Sequence, residues 1–113
     1  MQDERVIGRF GGDKTGPLLI VIGSMHGNEP AGVNAIEFMV KMLNEEPNAN
    51  PNFTYFGSFL GIRGNIKAAK LNKRFIKQDL NRLWTEENVN RILKDEFLGP
   101  EEEELLDLSL IHI

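Results

Sequence analysis

Leu18-Leu19-Ile20-Val21-Ile22, closed by Gly23, is the clearest apolar run in the chain. An unbroken run of that length fits a strand covered on both faces, as in a parallel or mixed sheet with helices packed on each side. Before it, Arg5 to Phe10 alternates less cleanly and ends at Gly11-Gly12, which predicts an edge strand followed by a turn through Asp13 to Pro17. From Pro30 to Asn44 the apolar residues Val33, Ile36, Met39, Val40 and Leu43 recur at helical spacing, with Pro30 tolerated in the first turn. Glu46 to Asn52 carries turn residues, and the aromatic-rich stretch Phe53 to Leu60 predicts the next strand. Together these segments predict a β-α-β crossover.

The second half has a different texture. Gly61 to Trp84 lacks a clean period and is dense in Lys and Arg, so it reads as a long ordered loop with one helical turn, and such loops are usually functional. Thr85, followed by Glu86, Glu87 and Asn88, has the form of a helix start. Val89, Ile92, Leu93 and Phe97 continue at helical spacing until Gly99-Pro100 stops it. Glu101 to Leu106 predicts the acidic first turn of a further helix, favoured there by the helix dipole.

Composition narrows the function classes. At 113 residues the chain holds one domain or part of one, and 41% apolar with 27% charged residues is ordinary for a folded soluble protein. A net charge of -4 argues against a nucleic-acid or anionic-membrane surface, both of which need clustered basic residues. The longest apolar runs fall far short of the ~20 residues of a membrane span. The charged MQDERV start is unlike a signal peptide, so the expected location is cytoplasmic. With no cysteine, any metal must be held by His and carboxylate ligands.

Candidate chemistry gathers in two places. Gly23 to Gly32 follows the best strand and enters the best helix, where open α/β sheets place their ligand sites. Within it His26 and Glu29 form a His-x-x-Glu pair able to bring an imidazole nitrogen and a carboxylate oxygen onto one zinc ion. By itself the pair also fits a surface His beside a Glu that favours a helix N-terminus. The second place is Arg74 to Trp84, where two arginines and an Asn could fork a substrate carboxylate and aim a donor at a polarised carbonyl, or form a solvated charged loop.

Gly-x-x-His-Gly-Asn-Glu (Gly23 to Glu29) followed by Arg-x-x-x-x-Asp-Leu-Asn-Arg (Arg74 to Arg82) resembles the succinylglutamate desuccinylase/aspartoacylase branch of the zinc carboxypeptidase-like fold. The resemblance implies an α/β domain with three α/β/α layers around a mixed, largely parallel sheet, of which this chain carries the first part. It implies a Zn2+ held by His26 and Glu29, and a hydrolase cleaving the amide bond of a small-molecule N-acyl amino acid. Arg74 would polarise the scissile carbonyl and stabilise its oxyanion, Asn81 and Arg82 would grip a substrate carboxylate, and Asp79 would hold the loop from behind the metal ligands. Removing Arg74 should then lower turnover more than binding, and removing Arg82 should chiefly weaken binding. Gly64-Asn65 resembles the family's Gly-Asn-Pro turn, with Ile66 in place of proline. The family's third ligand, a later His, and its Glu general base are not identifiable; His112 lacks the family context and is not assigned.

Leu108 to Ile113 matches the translation of a transposon mosaic-end adapter, CTG-TCT-CTT-ATA-CAC-ATC. On that reading residues 1–107 are the N-terminal part of a zinc hydrolase catalytic domain and 108–113 are a non-native tail. The competing reading continues an amphipathic helix through Leu105, Leu106, Leu108 and Ile111. With two ligands and an unfinished sheet, the 113-residue chain is expected to be inactive alone. Two other functions stay open: a carboxypeptidase acting on peptides, and a non-catalytic α/β binding module.

Overall fold

A computed structural model of the chain describes residues 4–11, 15–95 and 97–110. It is a mixed α/β structure in two compact units. The first contains β1 (Val6–Gly11), β2 (Leu18–Gly23), α1 (Ala31–Ala49) and β3 (Ser58–Arg63). The second contains Ser24–Pro30 and the chain from Gly64 onward, with α2 (Ile66–Lys70), a 3-10 turn (Leu80–Arg82), α3 (Glu86–Lys94) and α4 (Pro100–Ser109).

In the sheet unit the strand order is β1-β3-β2, with β1 antiparallel and β2 parallel to β3. The parallel pair β2–β3 joined through α1 is the predicted crossover. α1 packs on the sheet through Ile36, which is buried, with Val33, Val40 and Leu43 half-buried along the same stripe. The approach is close because Gly61 has no side chain: a Cβ there would stand 2.2 Å from Ile36 Cγ2.

Three features of this unit differ from the sequence expectation. The helix begins where predicted but runs on through Pro47 to Ala49, and Asn50 N–H closes on Glu46 O at 2.8 Å. Pro47 deprives the Leu43 carbonyl of its usual donor, which is tolerable in a largely exposed turn where solvent can replace it. β3 starts at Ser58, five residues after the predicted Phe53, and extends to Arg63. Two aromatics of 53–57 serve packing instead: Phe53 and Tyr55 lie against Phe10 of β1, ring centroids 6.4 and 5.4 Å apart. Gly57, at φ +113°, turns the chain into the strand, and Ser58 N–H bonds Pro17 O. Finally, β2 was expected to be covered on both faces, yet Leu19, Ile20 and Ile22 are 52%, 42% and 40% exposed; β2 lies at an edge of this sheet and β3 at its centre.

In the second unit, Asn65 caps α2, its Oδ1 accepting from Ala68 N–H. Ile66 is therefore the first helical residue, a position that proline also fills readily, so the substitution noted above leaves the turn intact. Thr85 caps α3 through Asn88 N–H as predicted, but the helix ends at Lys94 and Phe97 stands exposed. α4 spans the expected 107/108 boundary, and His112 lies outside the described residues. No helix among the described residues is long and apolar enough to cross a membrane.

Candidate functional site

Ser24–Pro30 enters its unit through Ser24 in the left-handed region, φ 63°. The loop is then pinned by backbone: Asn65 N–H donates to Ser24 O at 2.9 Å, and Gly27 N–H to Arg74 O at 3.0 Å. Gly27 is required by contact rather than by φ. A Cβ there would lie 2.4 Å from backbone atoms of Ala68, Ala69 and Lys73, so the loop could not seat against α2 and the chain after it.

That seating fixes His26 between two carboxylates. Its Nδ1 lies 3.2 and 3.3 Å from the two Glu29 oxygens, and its Nε2 lies 3.0 and 3.1 Å from the two Asp79 oxygens. The His26 and Asp79 side chains are only 16% and 14% exposed, whereas Glu29 is 53% exposed, so solvent reaches the ring from the Glu29 side. Asp79 also caps the 3-10 turn by accepting Asn81 N–H at 3.0 Å. Arg74 Nη2 and Arg82 Nε approach the other Asp79 oxygen at 3.9 and 3.8 Å. Burial pushes the Asp79 carboxyl up, but the His26 hydrogen bond, the Asn81 amide and attraction to His26 and Arg74 outweigh it and hold it below the ordinary value. Asp79 is thus ionised and acceptor-only near neutral pH.

All six residues singled out in the sequence meet here. His26 contacts both Glu29 and Asp79, Arg74 and Arg82 pair with Asp79, and Asn81 is joined through its backbone N–H, its side chain exposed. Two acceptor-only carboxylates facing both nitrogens of one ring are satisfied by an imidazolium, or by a neutral ring with a cation between Nδ1 and Glu29. For the second case the spacing is close: donors ~2.0–2.2 Å from a tetrahedral zinc stand roughly 3.3–3.6 Å apart, and the Nδ1–Glu29 separations of 3.2 and 3.3 Å lie at the short end. His26 and Glu29 therefore fit two positions of such an ion. Among the described residues no group of three or more His, Cys, Asp or Glu side chains could hold a metal.

Sequence reasoning missed the framework behind these residues. Asn65 registered only as a turn, and Glu101, Glu102 and Glu104 only as acids at the start of a helix; all four are buried. Each glutamate has structural partners. Glu102 accepts Gly99 N–H at 2.8 Å and pairs with Arg91 of α3, and Glu104 accepts Lys67 N–H at 2.9 Å at the start of α2. Glu101 faces the backbone of 76–78. A short-range signal did exist for Glu102, which stands three residues after Gly99 as a capping glutamate does.

Comparison with known proteins follows the same motifs. No solved structure gives a significant match. A protein of Nostoc sp. described as a probable aspartoacylase is 37% identical over 71 residues, covering 61% of this chain and 21% of that protein. One of Acaryochloris marina with the same description is 32% identical over 87 residues, covering 75% of this chain and 25% of that protein. The chain thus spans about a quarter of the length of these curated relatives. Residues 15–108 match the succinylglutamate desuccinylase/aspartoacylase catalytic domain, a stretch that includes both motifs and every residue of the His26 cluster, and the chain belongs to that family.

Proposed function

We propose that the protein encoded by the complete reading frame is a zinc-dependent deacylase that hydrolyses the amide bond of a small N-acyl amino acid. The observation that carries this reading is the two-sided hold on His26. Ionised Asp79 can only accept, so with a metal ion at Nδ1 it would take the ring proton at Nε2 and leave the Nδ1 lone pair for the ion beside Glu29. His26 and Glu29 would hold the ion, with a third ligand from elsewhere in the complete protein. When bound, zinc supplies a polarised carbonyl and a water activated near neutral pH.

The remaining residues act on the substrate. Arg74 and Arg82 share Asp79 at long range and expose 52% and 85% of their side chains, so an incoming anion can compete for both. Arg74, whose own carbonyl accepts from Gly27, is tied closest to the metal loop and would face the charge developing on the scissile carbonyl oxygen. Arg82 and Asn81, on the exposed 3-10 turn, would orient the substrate carboxylate. We also propose that the complete domain is a three-layer α/β/α sandwich with a largely parallel sheet, that the enzyme is cytoplasmic, and that 108–113 is a non-native tail.

The test is an assay of the complete protein against N-acyl amino acids and peptides, with and without a chelator. The reading predicts release of free amino acid from an N-acyl substrate, abolished by chelation and restored by zinc. Cleavage of peptides alone would make the protein a carboxypeptidase, and absence of both activities would sink the hydrolase reading.

A further inference from the structure

Glu101 is fully buried, and its two oxygens accept four N–H groups. Oε2 takes Asn65 Nδ2 at 3.0 Å and Ile76 N–H at 2.7 Å, while Oε1 takes Lys77 N–H at 2.9 Å and Gln78 N–H at 3.1 Å. Three successive backbone amides converging on one anion form the concave arrangement by which loops bind anions, here filled by the protein's own side chain. Burial raises the Glu101 carboxyl, but the bonds from Asn65, Ile76, Lys77 and Gln78 outweigh it and keep the group ionised.

The position of these amides gives the contact its meaning. They lie between Arg74, whose carbonyl accepts from Gly27, and Asp79, which holds His26 Nε2. The fourth donor, Asn65, is bonded through its own N–H to Ser24 at the other end of the His26 loop. One carboxylate on α4 thus braces both segments that carry the site residues. We infer that Glu101 is a positioning residue: it fixes the path of 76–78, and thereby the placement of Arg74 and Asp79 against His26. The inference rests on the deacylase reading of this site.

Glu101→Gln tests it in the complete protein, because the size is kept while the amide group confronts two donors with donors of its own. Three quantities are compared with the parent protein: hydrogen exchange at Ile76, Lys77 and Gln78, zinc per chain, and kcat with KM. The expected result is exchange at those amides faster by about tenfold or more, zinc per chain unchanged at saturating zinc, and kcat lower by about 10- to 100-fold with KM within about threefold, as for a misplaced catalytic group. Glu103→Gln, on the same helix but paired with the Lys67 ammonium, should change none of these. Should Glu101→Gln fail to fold, Glu101→Asp keeps the charge at shorter reach and should give intermediate exchange and kcat. Faster exchange with unaltered kcat would overturn the positioning role, and unaltered exchange would overturn the anchor itself. If the parent protein has no deacylase activity, the functional reading and the catalytic role fall together, and the exchange comparison still decides whether Glu101 braces the loop.

Discussion

His26 is one ring with a carboxylate at each nitrogen, and the two carboxylates differ in what they can do. Glu29 is half exposed, whereas Asp79 is nearly buried and also accepts from Asn81 N–H and draws two arginines. Replacing Asp79 by Asn leaves one oxygen for the Asn81 amide and turns an NH2 group toward the ring, so the proton is no longer drawn to Nε2. Asp79→Asn should weaken zinc binding by about 10- to 100-fold, the usual effect of losing the partner of a metal-bound His. Competition with a chromophoric chelator measures this, and an unaltered affinity would mean that Asp79 does not set the ring's protonation. At this scale the candidate residues were legible: the three-residue spacing of His26 and Glu29 and the cluster from Arg74 to Arg82 are local signals. Glu101 was not, because a carboxylate in a first helical turn has the same appearance whether it favours the dipole or receives a distant loop.

Helices and strands were readable where their side chains decide their form, and misplaced where tertiary contacts decide it. The stripe Val33, Ile36, Val40 and Leu43 and the Thr85 cap were plain, whereas the start of β3 depends on the left-handed Gly57 and on Pro17 accepting from Ser58. α4 illustrates a further cause. Its mean character is acidic and polar, yet three of its glutamates are buried because each meets fixed N–H groups or Arg91. For Glu102, the Gly99 amide and Arg91 outweigh burial and lower the pKa. A carboxyl lowered on folding stabilises fully above its unfolded pKa of about 4.3, and the contribution is lost as pH falls through the lowered folded value. Glu102→Gln should therefore cost about 1–3 kcal/mol near neutral pH. Its Tm deficit against the parent should narrow as the pH is taken below the ordinary carboxylate range. Thermal melts across acid pH check this; a deficit constant with pH would assign the loss to shape rather than to charge.

On the scale of the whole molecule, the family assignment, the mixed sheet and the convergence of both motifs in one unit agree. The exposed apolar residues of β2, with Met39 of α1 beside them, were not legible beforehand, since an unbroken apolar run predicts cover without saying which residues supply it. Zinc content tests the central claim most directly. The protein from the complete reading frame should carry one zinc per chain, and His26→Ala should lose it while the fold persists. A folded, intact protein that binds no zinc would contradict the account and leave an α/β binding module in its place.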